Sequence, residues 1–183
     1  MTARFADTRS LLVLISVVLL AGLTVGPSAD GDALADDDSR VTMHRVSVPP
    51  AHFGPASDDE DYFNNGSGIW ALSDELTMFA PIPYDYPGSS HIFITRVEML
   101  AFDDDPGSRV CLDLWRSEIS QGDRTLMGSV CTPLDGSSRE VDPLLMDLQV
   151  RRVNPGQRAY LELRYAGLLA SFHGARLNYT TNP

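Results

Sequence analysis

The chain holds two cysteines, and each sits inside a run that reads as a β-strand. RVCLDLWRS (Arg109 to Ser117) and TLMGSVCTP (Thr125 to Pro133) flank the polar EISQGDR, the layout of an antiparallel hairpin. Pairing Ser117 with Thr125 places Cys111 opposite Cys131. The same register sets Leu112 beside Val130 and Leu114 beside Gly128 on one face, and Asp113 beside Ser129 and Trp115 beside Met127 on the other. Directly opposed residues at a non-hydrogen-bonded position have Cα atoms about 4.5 Å apart, a distance close to those a disulfide spans. Hydrophobic alternation and cysteine spacing agree on this register, and closing the loop covalently stabilises the fold by about 3 kcal/mol in the chain-entropy picture. The alternative is two unpaired buried thiols. A metal centre needs more ligands than two cysteines so placed.

An oxidised pair requires an oxidising compartment, and the first residues supply a route to one. Arg4 and Arg9 precede an uncharged run from Leu11 to Val25, and Pro27 follows it. This is the layout of a secretory signal peptide. The run is short for a membrane span, which needs about 20 residues. Ala33 and Ala35 stand where a signal peptidase reads small residues, so residues 1–35 are expected to be removed and the mature chain to start at Asp36. Retention as an anchor is the alternative; with cleavage, no stable membrane insertion is expected. Residues 36–45 read as a flexible acidic leader and the start of the first strand, and residues 46–183 as one domain. The expected location is secreted, extracellular or in the cell envelope.

Charge narrows the partners. The full chain carries −11, and loss of the signal segment leaves −10, which opposes nucleic acid and anionic membranes. Carbohydrate, cell-wall polymer or another protein remain as partner classes.

Beyond the hairpin the chain alternates short apolar runs with Pro- and Gly-bearing turns. VTMHRVSVPP, IWALSD, LTMFAPIP and HIFITRVEMLAF read as strands, the last with Phe93, Thr95, Val97, Met99 and Ala101 on one side. The stretch from Ser57 to Gly68 reads as an exposed acidic loop, and LDGSSREVDP as a connection. LLMDLQV reads as a strand or a short helix, with a strand favoured. AYLELRYAG turns Leu161, Leu163 and Tyr165 inward and Tyr160, Glu162 and Arg164 outward, and GLLASFHGARLNYT closes the chain. About eight strands without helical periodicity outside the signal segment predict an all-β antiparallel β-sandwich, jelly-roll-like or, as the alternative, Ig-like.

Five pieces of the sequence carry a resemblance: Phe79-Ala80-Pro81, Asp103 at a strand end, Leu114 with Arg116, Tyr160, and the run Gly174 to Tyr179. In this order they resemble a poorly characterised group of secreted bacterial β-sandwich domains over roughly Val46 to Thr180. The resemblance implies a β-sandwich and a turn-capping role for Asp103, whose carboxylate would accept backbone N–H groups. It implies no activity. The cysteine pair and the acidic Asp58 to Asp61 loop depart from the group's pattern.

Three kinds of site chemistry bear on this sequence. Catalysis has no motif: His44, His52, His91 and His173 stand in no nucleophile elbow or zinc-binding helix, which leaves a hydrolase as the third choice. Metal binding has hard oxygen ligands in two loops, Asp58, Asp59 and Asp61 in one and Asp103, Asp104 and Asp105 in the other, and calcium is the ion such ligands would take. Adjacent carboxylates on extended chain point to opposite sides, so a solvated acidic loop competes with a calcium site. Glycan binding has aromatic platforms in Trp70, Trp115, Tyr84, Tyr86 and Tyr62. Trp115 falls on the cystine face of the hairpin, either exposed or packed under a loop. The expectation is a non-catalytic secreted binding or structural module, with a calcium-assisted carbohydrate-binding module as the alternative.

Overall fold

The computed structural model describes residues 41–84, 91–118, 121–136 and 138–182. The expected signal segment, the leader up to Arg40, and Tyr86 lie outside these residues. Thirteen strands follow one another among the described residues. β1 (Thr42–Val48) leads through a single 3₁₀ turn at Pro50–His52 into β2 (Gly54–Pro55), β3 (Tyr62–Asn64), β4 (Ile69–Ala71) and β5 (Glu75–Pro81). The long β6 (His91–Asp103) precedes the cysteine hairpin, β7 (Arg109–Glu118) and β8 (Arg124–Cys131). β9 (Ser138–Leu145), β10 (Asp147–Leu148) and β11 (Arg152–Val153) lead into β12 (Gln157–Ala166) and β13 (Ala170–Asn182). No helix among the described residues is long and apolar enough to cross a membrane.

The strands form two antiparallel sheets that pack face to face as a jelly-roll-like β-sandwich. A seven-stranded sheet runs β11-β6-β13-β4-β3, with β1 added on β13 and β9 on β6; a six-stranded sheet runs β10-β8-β7-β12-β5-β2. Outside the cysteine hairpin, the chain from β5 onward alternates between the sheets. Ile69, Ile92, Met99, Phe172 and Leu177 from one sheet meet Leu76, Met78, Leu112, Leu161 and Leu163 from the other in a single core. Burying a side chain of this size stabilises by about 1.5–3 kcal/mol. Tyr165 joins this core and donates its hydroxyl to the Ile69 carbonyl at 2.7 Å, and burial pushes its phenol pKa up.

The strand count exceeds the expected eight because several pairings are only two or three residues long. β3 forms inside the stretch expected as an acidic loop, and β9 begins inside the expected connection and runs on to Leu145. LLMDLQV is split: Leu145 ends β9 in one sheet, and Asp147–Leu148 pairs with Ser129 and Gly128 in the other. The chain crosses between sheets there, and Gly128 permits it, since a Cβ at that position would stand 2.6 Å from the Asp147 carbonyl oxygen.

Bulges correct two of the sequence registers. Along β6 the pairing to β13 skips Thr95, so Ile92 and Ile94 point inward before it and Val97, Met99 and Ala101 after it. Strict alternation had set the first two apart from the last three; the extra residue puts all five in the core. In the hairpin, Cys111 faces Cys131 and Leu114 faces Gly128 as expected, but Trp115 faces Leu126 rather than Met127. The bulge at Met127 returns that side chain to the core, where it is fully buried, instead of leaving a methionine outward.

Candidate functional site

The hairpin cysteines are joined, Cys111 to Cys131, with Cα atoms 4.0 Å apart. Their cystine sits on the outer face of the six-stranded sheet, because Val110, Leu112 and Leu114 take the inner positions of β7. Register across β8, β7, β12 and β5 then places the remaining outward residues in rows. Cys131, Cys111, Arg164 and Thr77 form one row, and Ser129, Asp113, Glu162 and Phe79 the next. Leu126, Trp115, Tyr160 and Pro81 form the third.

Three aromatic residues thereby stand as neighbours on one face across three strands. Trp115 on β7 is the register neighbour of Tyr160 on β12, and Phe79 on β5 meets Tyr160 edge-on with ring centroids 6.0 Å apart. Phe79 is 37% exposed, and the other two are half-buried. Adjacent strands lie about 4.8 Å apart, so the strip spans about 10 Å, long enough for several contacts with one extended ligand. Tyr160 also borders a cavity of about 360 Å³ lined by Pro81, Ile82, Tyr84, Arg158 and Ala159. Tyr84 is held there by the Ala159 N–H, which donates to its hydroxyl oxygen at 3.0 Å.

Charged side chains flank the rings. Asp113, buried on this face, accepts from Ser129 Oγ at 2.5 Å and from Arg164 Nε at 2.9 Å, with Arg164 Nη2 2.6 Å from the same carboxylate. Glu162 lies between two arginines, 3.7 Å from Arg124 and 3.9 Å from Arg164. The Arg124 guanidinium covers the Trp115 ring at 4.7 Å from its centroid, a cation–π arrangement. These two carboxylates and two guanidiniums balance one another, and Arg158 stands outward on β12 beyond Tyr160.

The other candidates fall elsewhere. Trp70 is on the outer face of the opposite sheet, packed against Phe63 at 5.6 Å and edge-on to His173 at 5.9 Å. His173 there bridges Ser171 Oγ at 2.9 Å and the Ser67 carbonyl at 3.0 Å. Ser171 is buried, so this Ser–His contact ties the β3–β4 hairpin to β13 and presents no open nucleophile. Trp70 and Trp115 therefore belong to separate surfaces.

The acidic residues do not converge. Asp58, Asp59 and Asp61 are exposed along their loop. Asp103 is buried and accepts from Thr132 Oγ1 at 2.6 Å and from the Asp105 N–H at 3.3 Å, a turn-capping contact. Asp105 holds Ser108 Oγ at 2.9 Å, and Asp104 is exposed. Among the described residues no three His, Cys, Asp or Glu side chains are grouped so as to hold a metal ion.

Sequence alternation already turned Tyr160 and Glu162 outward, but nothing in it says that β12 lies beside β7 and β5. That adjacency is what makes Tyr160 and Phe79 part of one strip with Trp115.

No family model matches the chain, and no curated protein matches it. Among solved structures, similarity extends to the CBM22-1–GH10 modules of endo-1,4-β-D-xylanase 10B from Clostridium thermocellum, complexed with xylohexaose. That likeness has 8% identity and a TM-score of 0.46, and covers 76% of this chain but 28% of the other. Infectious bursal disease virus, Gx strain, is similar at 9% identity with a TM-score of 0.23, over 86% of this chain and 45% of the other.

Proposed function

We propose that this protein is a secreted, non-catalytic binding module whose ligand is a neutral glycan or cell-wall polymer, seated on the outer face of the six-stranded sheet. The observation that carries the proposal is the contiguity of Trp115, Tyr160 and Phe79 across β7, β12 and β5. Aromatic faces stack on the apolar faces of sugar rings, and a rigid sheet holds them with little entropy left to lose on binding. The border of Asp113, Glu162, Arg124 and Arg164 adds hydrogen-bonding groups of both signs, and the two carboxylates suit hydroxyls better than a polyanion. Export is supported by the Arg4 to Val25 signal layout and by the Cys111–Cys131 disulfide.

A glycan and cell-wall polymer array probed with the Asp36–Pro183 protein tests this, run with calcium and again with chelator. Binding to neutral polymers in both conditions, lost in Trp115→Ala and Tyr160→Ala, is the expected result. Binding only with calcium transfers the site to the acidic loops, and binding that survives both alanine substitutions moves it off this face.

A further inference from the structure

We infer that Glu162 and the indole N–H of Trp115 are the groups that read ligand hydroxyls on this face, and that Arg124 occupies the ligand's place until it is displaced; the inference rests on the glycan binding proposed above. Glu162 is 9% exposed, and its Oε2 is shut off from solvent without a hydrogen-bond partner. Its nearest cations, Arg124 at 3.7 Å and Arg164 at 3.9 Å, stand beyond hydrogen-bond reach. Trp115 Nε1 is in the same condition. Buried polar atoms in folded proteins are almost always paired, so the unpaired ones on Trp115 and Glu162 need a reason. Among the described residues, Arg109 Nε and Arg116 Nε are also unpaired, but each guanidinium has four further N–H donors. Trp115 has one polar atom, and the Glu162 oxygen is half of its carboxylate.

Both orphaned atoms belong to side chains covered by Arg124. Its guanidinium sits over the Trp115 ring and beside Glu162 Oε2, yet the side chain is 57% exposed and makes no close hydrogen bond to either. It covers the surface on which a sugar ring would stack, and an exposed arginine swings aside at little cost. A sugar then offers what Arg124 does not. A hydroxyl is donor and acceptor at once, so a hydroxyl at the indole edge accepts from the Trp115 N–H and a neighbouring one donates to Glu162 Oε2, while the apolar face of the adjoining sugar unit lies on the Trp115 ring. The ligand class is a neutral saccharide with an apolar ring face and a vicinal pair of free hydroxyls.

Titration of wild type, Arg124→Ala, Trp115→Phe and Glu162→Gln with soluble β-glucan, mannan and xylan tests the inference. Arg124→Ala should bind about threefold to fivefold tighter, because the cation–π contact no longer has to be broken. Trp115→Phe keeps a stacking ring but loses the donor, and Glu162→Gln loses the charge on the acceptor; each should weaken binding by about threefold to tenfold. Unchanged or weaker binding by Arg124→Ala, with wild type binding well, overturns the occupancy by Arg124 and leaves the glycan face standing. Unchanged affinity in Trp115→Phe and Glu162→Gln overturns their role as hydroxyl readers. If neither wild type nor Arg124→Ala binds any neutral polysaccharide, glycan binding at this face falls, and this inference with it.

Discussion

The Arg124 guanidinium lies over the Trp115 ring although an unbulged hairpin would turn the two side chains to opposite faces. With Ser117 facing Thr125 throughout, outward positions on β8 would be Cys131, Ser129, Met127 and Thr125, and Arg124 would point inward. The extra residue at Met127 moves Ser117 opposite Arg124 and brings the arginine out. One bulge thus fills the core with a methionine and furnishes the outer face with a cation, the local re-aiming that bulges provide.

Aromatic contributions to binding should separate by sheet. Trp115→Ala and Tyr160→Ala are expected to weaken binding to the neutral polymer by at least about tenfold, ~1.4 kcal/mol. Trp70→Phe should leave affinity at the wild-type value, since Trp70 packs on Phe63 and His173 across the sandwich. Isothermal titration of the three variants checks this, and equal losses from Trp70 and Trp115 would place the ligand elsewhere.

The disulfide closes a loop across β7 and β8, and its loss should act chiefly through the unfolded chain. The unreduced protein should weigh about 2 Da less than its reduced form, because the bond removes two hydrogens. Cys111→Ser should cost about 2–4 kcal/mol, lowering Tm by roughly 6–12 °C for a domain of this size. Free thiol titrating in the unreduced protein contradicts both figures.

Asp103 is expected to matter for stability and not for calcium. Its carboxylate joins Thr132 on one strand end to the Asp105 N–H of its own turn, and Thr132 Oγ1 in turn accepts from the Val110 N–H at 3.1 Å. Asp103→Ala leaves those buried partners short of an acceptor at a cost of about 1–3 kcal/mol. Thermal unfolding should show the same fall in Tm with calcium and with chelator. A calcium-induced rise in wild type that disappears in the variant would instead make Asp103 a metal ligand.

The cysteine hairpin shows how far sequence carries. Cys111 opposite Cys131 followed from alternation and cysteine spacing together, because the register that pairs the cysteines also sets Leu112 beside Val130 and Leu114 beside Gly128 on the core face. Local alternation also turned Tyr160, Glu162 and Arg164 outward on β12. It failed at Thr95 and Met127, where an inserted residue changes the phase without any local mark in composition. It was silent on which strands are neighbours, since β12 reaches β7 and β5 through pairings far apart in sequence. The aromatic strip depends on that adjacency, so Trp115 was visible as a candidate while Tyr160 and Phe79 were not. Trp70 was equally visible and belongs to the other surface.

Alkaline pH should expose the buried phenol of Tyr165. Below the ordinary phenol pKa of about 10, Tyr165 holds its proton in folded and unfolded chains alike, and its contribution is fully present. Above that value the unfolded chain releases a proton that burial makes the folded chain keep, so stability falls with rising pH by up to ~1.4 kcal/mol per unit. Tyr165→Phe should flatten this part of the alkaline decline while costing about 1–3 kcal/mol at neutral pH, where the Ile69 carbonyl loses its donor. Denaturant titrations between pH 8 and 11 compare the slopes, and parallel curves for the two proteins would assign the alkaline loss to other groups.

Gly128 makes the crossing between sheets possible and should be the least replaceable glycine of the hairpin. It faces Leu114 from the inner side of β8, and the chain leaving β9 runs directly over it. An added Cβ would meet the Asp147 carbonyl oxygen at 2.6 Å and Met146 sulfur at 3.0 Å. The first is backbone, tied into the sheet by the β8–β10 pairing, and cannot move without breaking it. Gly128→Ala should therefore cost about 1–3 kcal/mol through overpacking and displace β10 from β8. Gly54 is a control on the same sheet: a Cβ there meets nothing within 4 Å, and Gly54→Ala should stay within about 0.5 kcal/mol of wild type. Because β10 borders β8 just beyond Ser129, the Gly128 variant should also loosen the Ser129–Asp113–Arg164 contacts and weaken glycan binding by more than its Tm predicts. Comparable stability of the two alanine variants would mean that the crossing segment yields, and that the outer face does not depend on it.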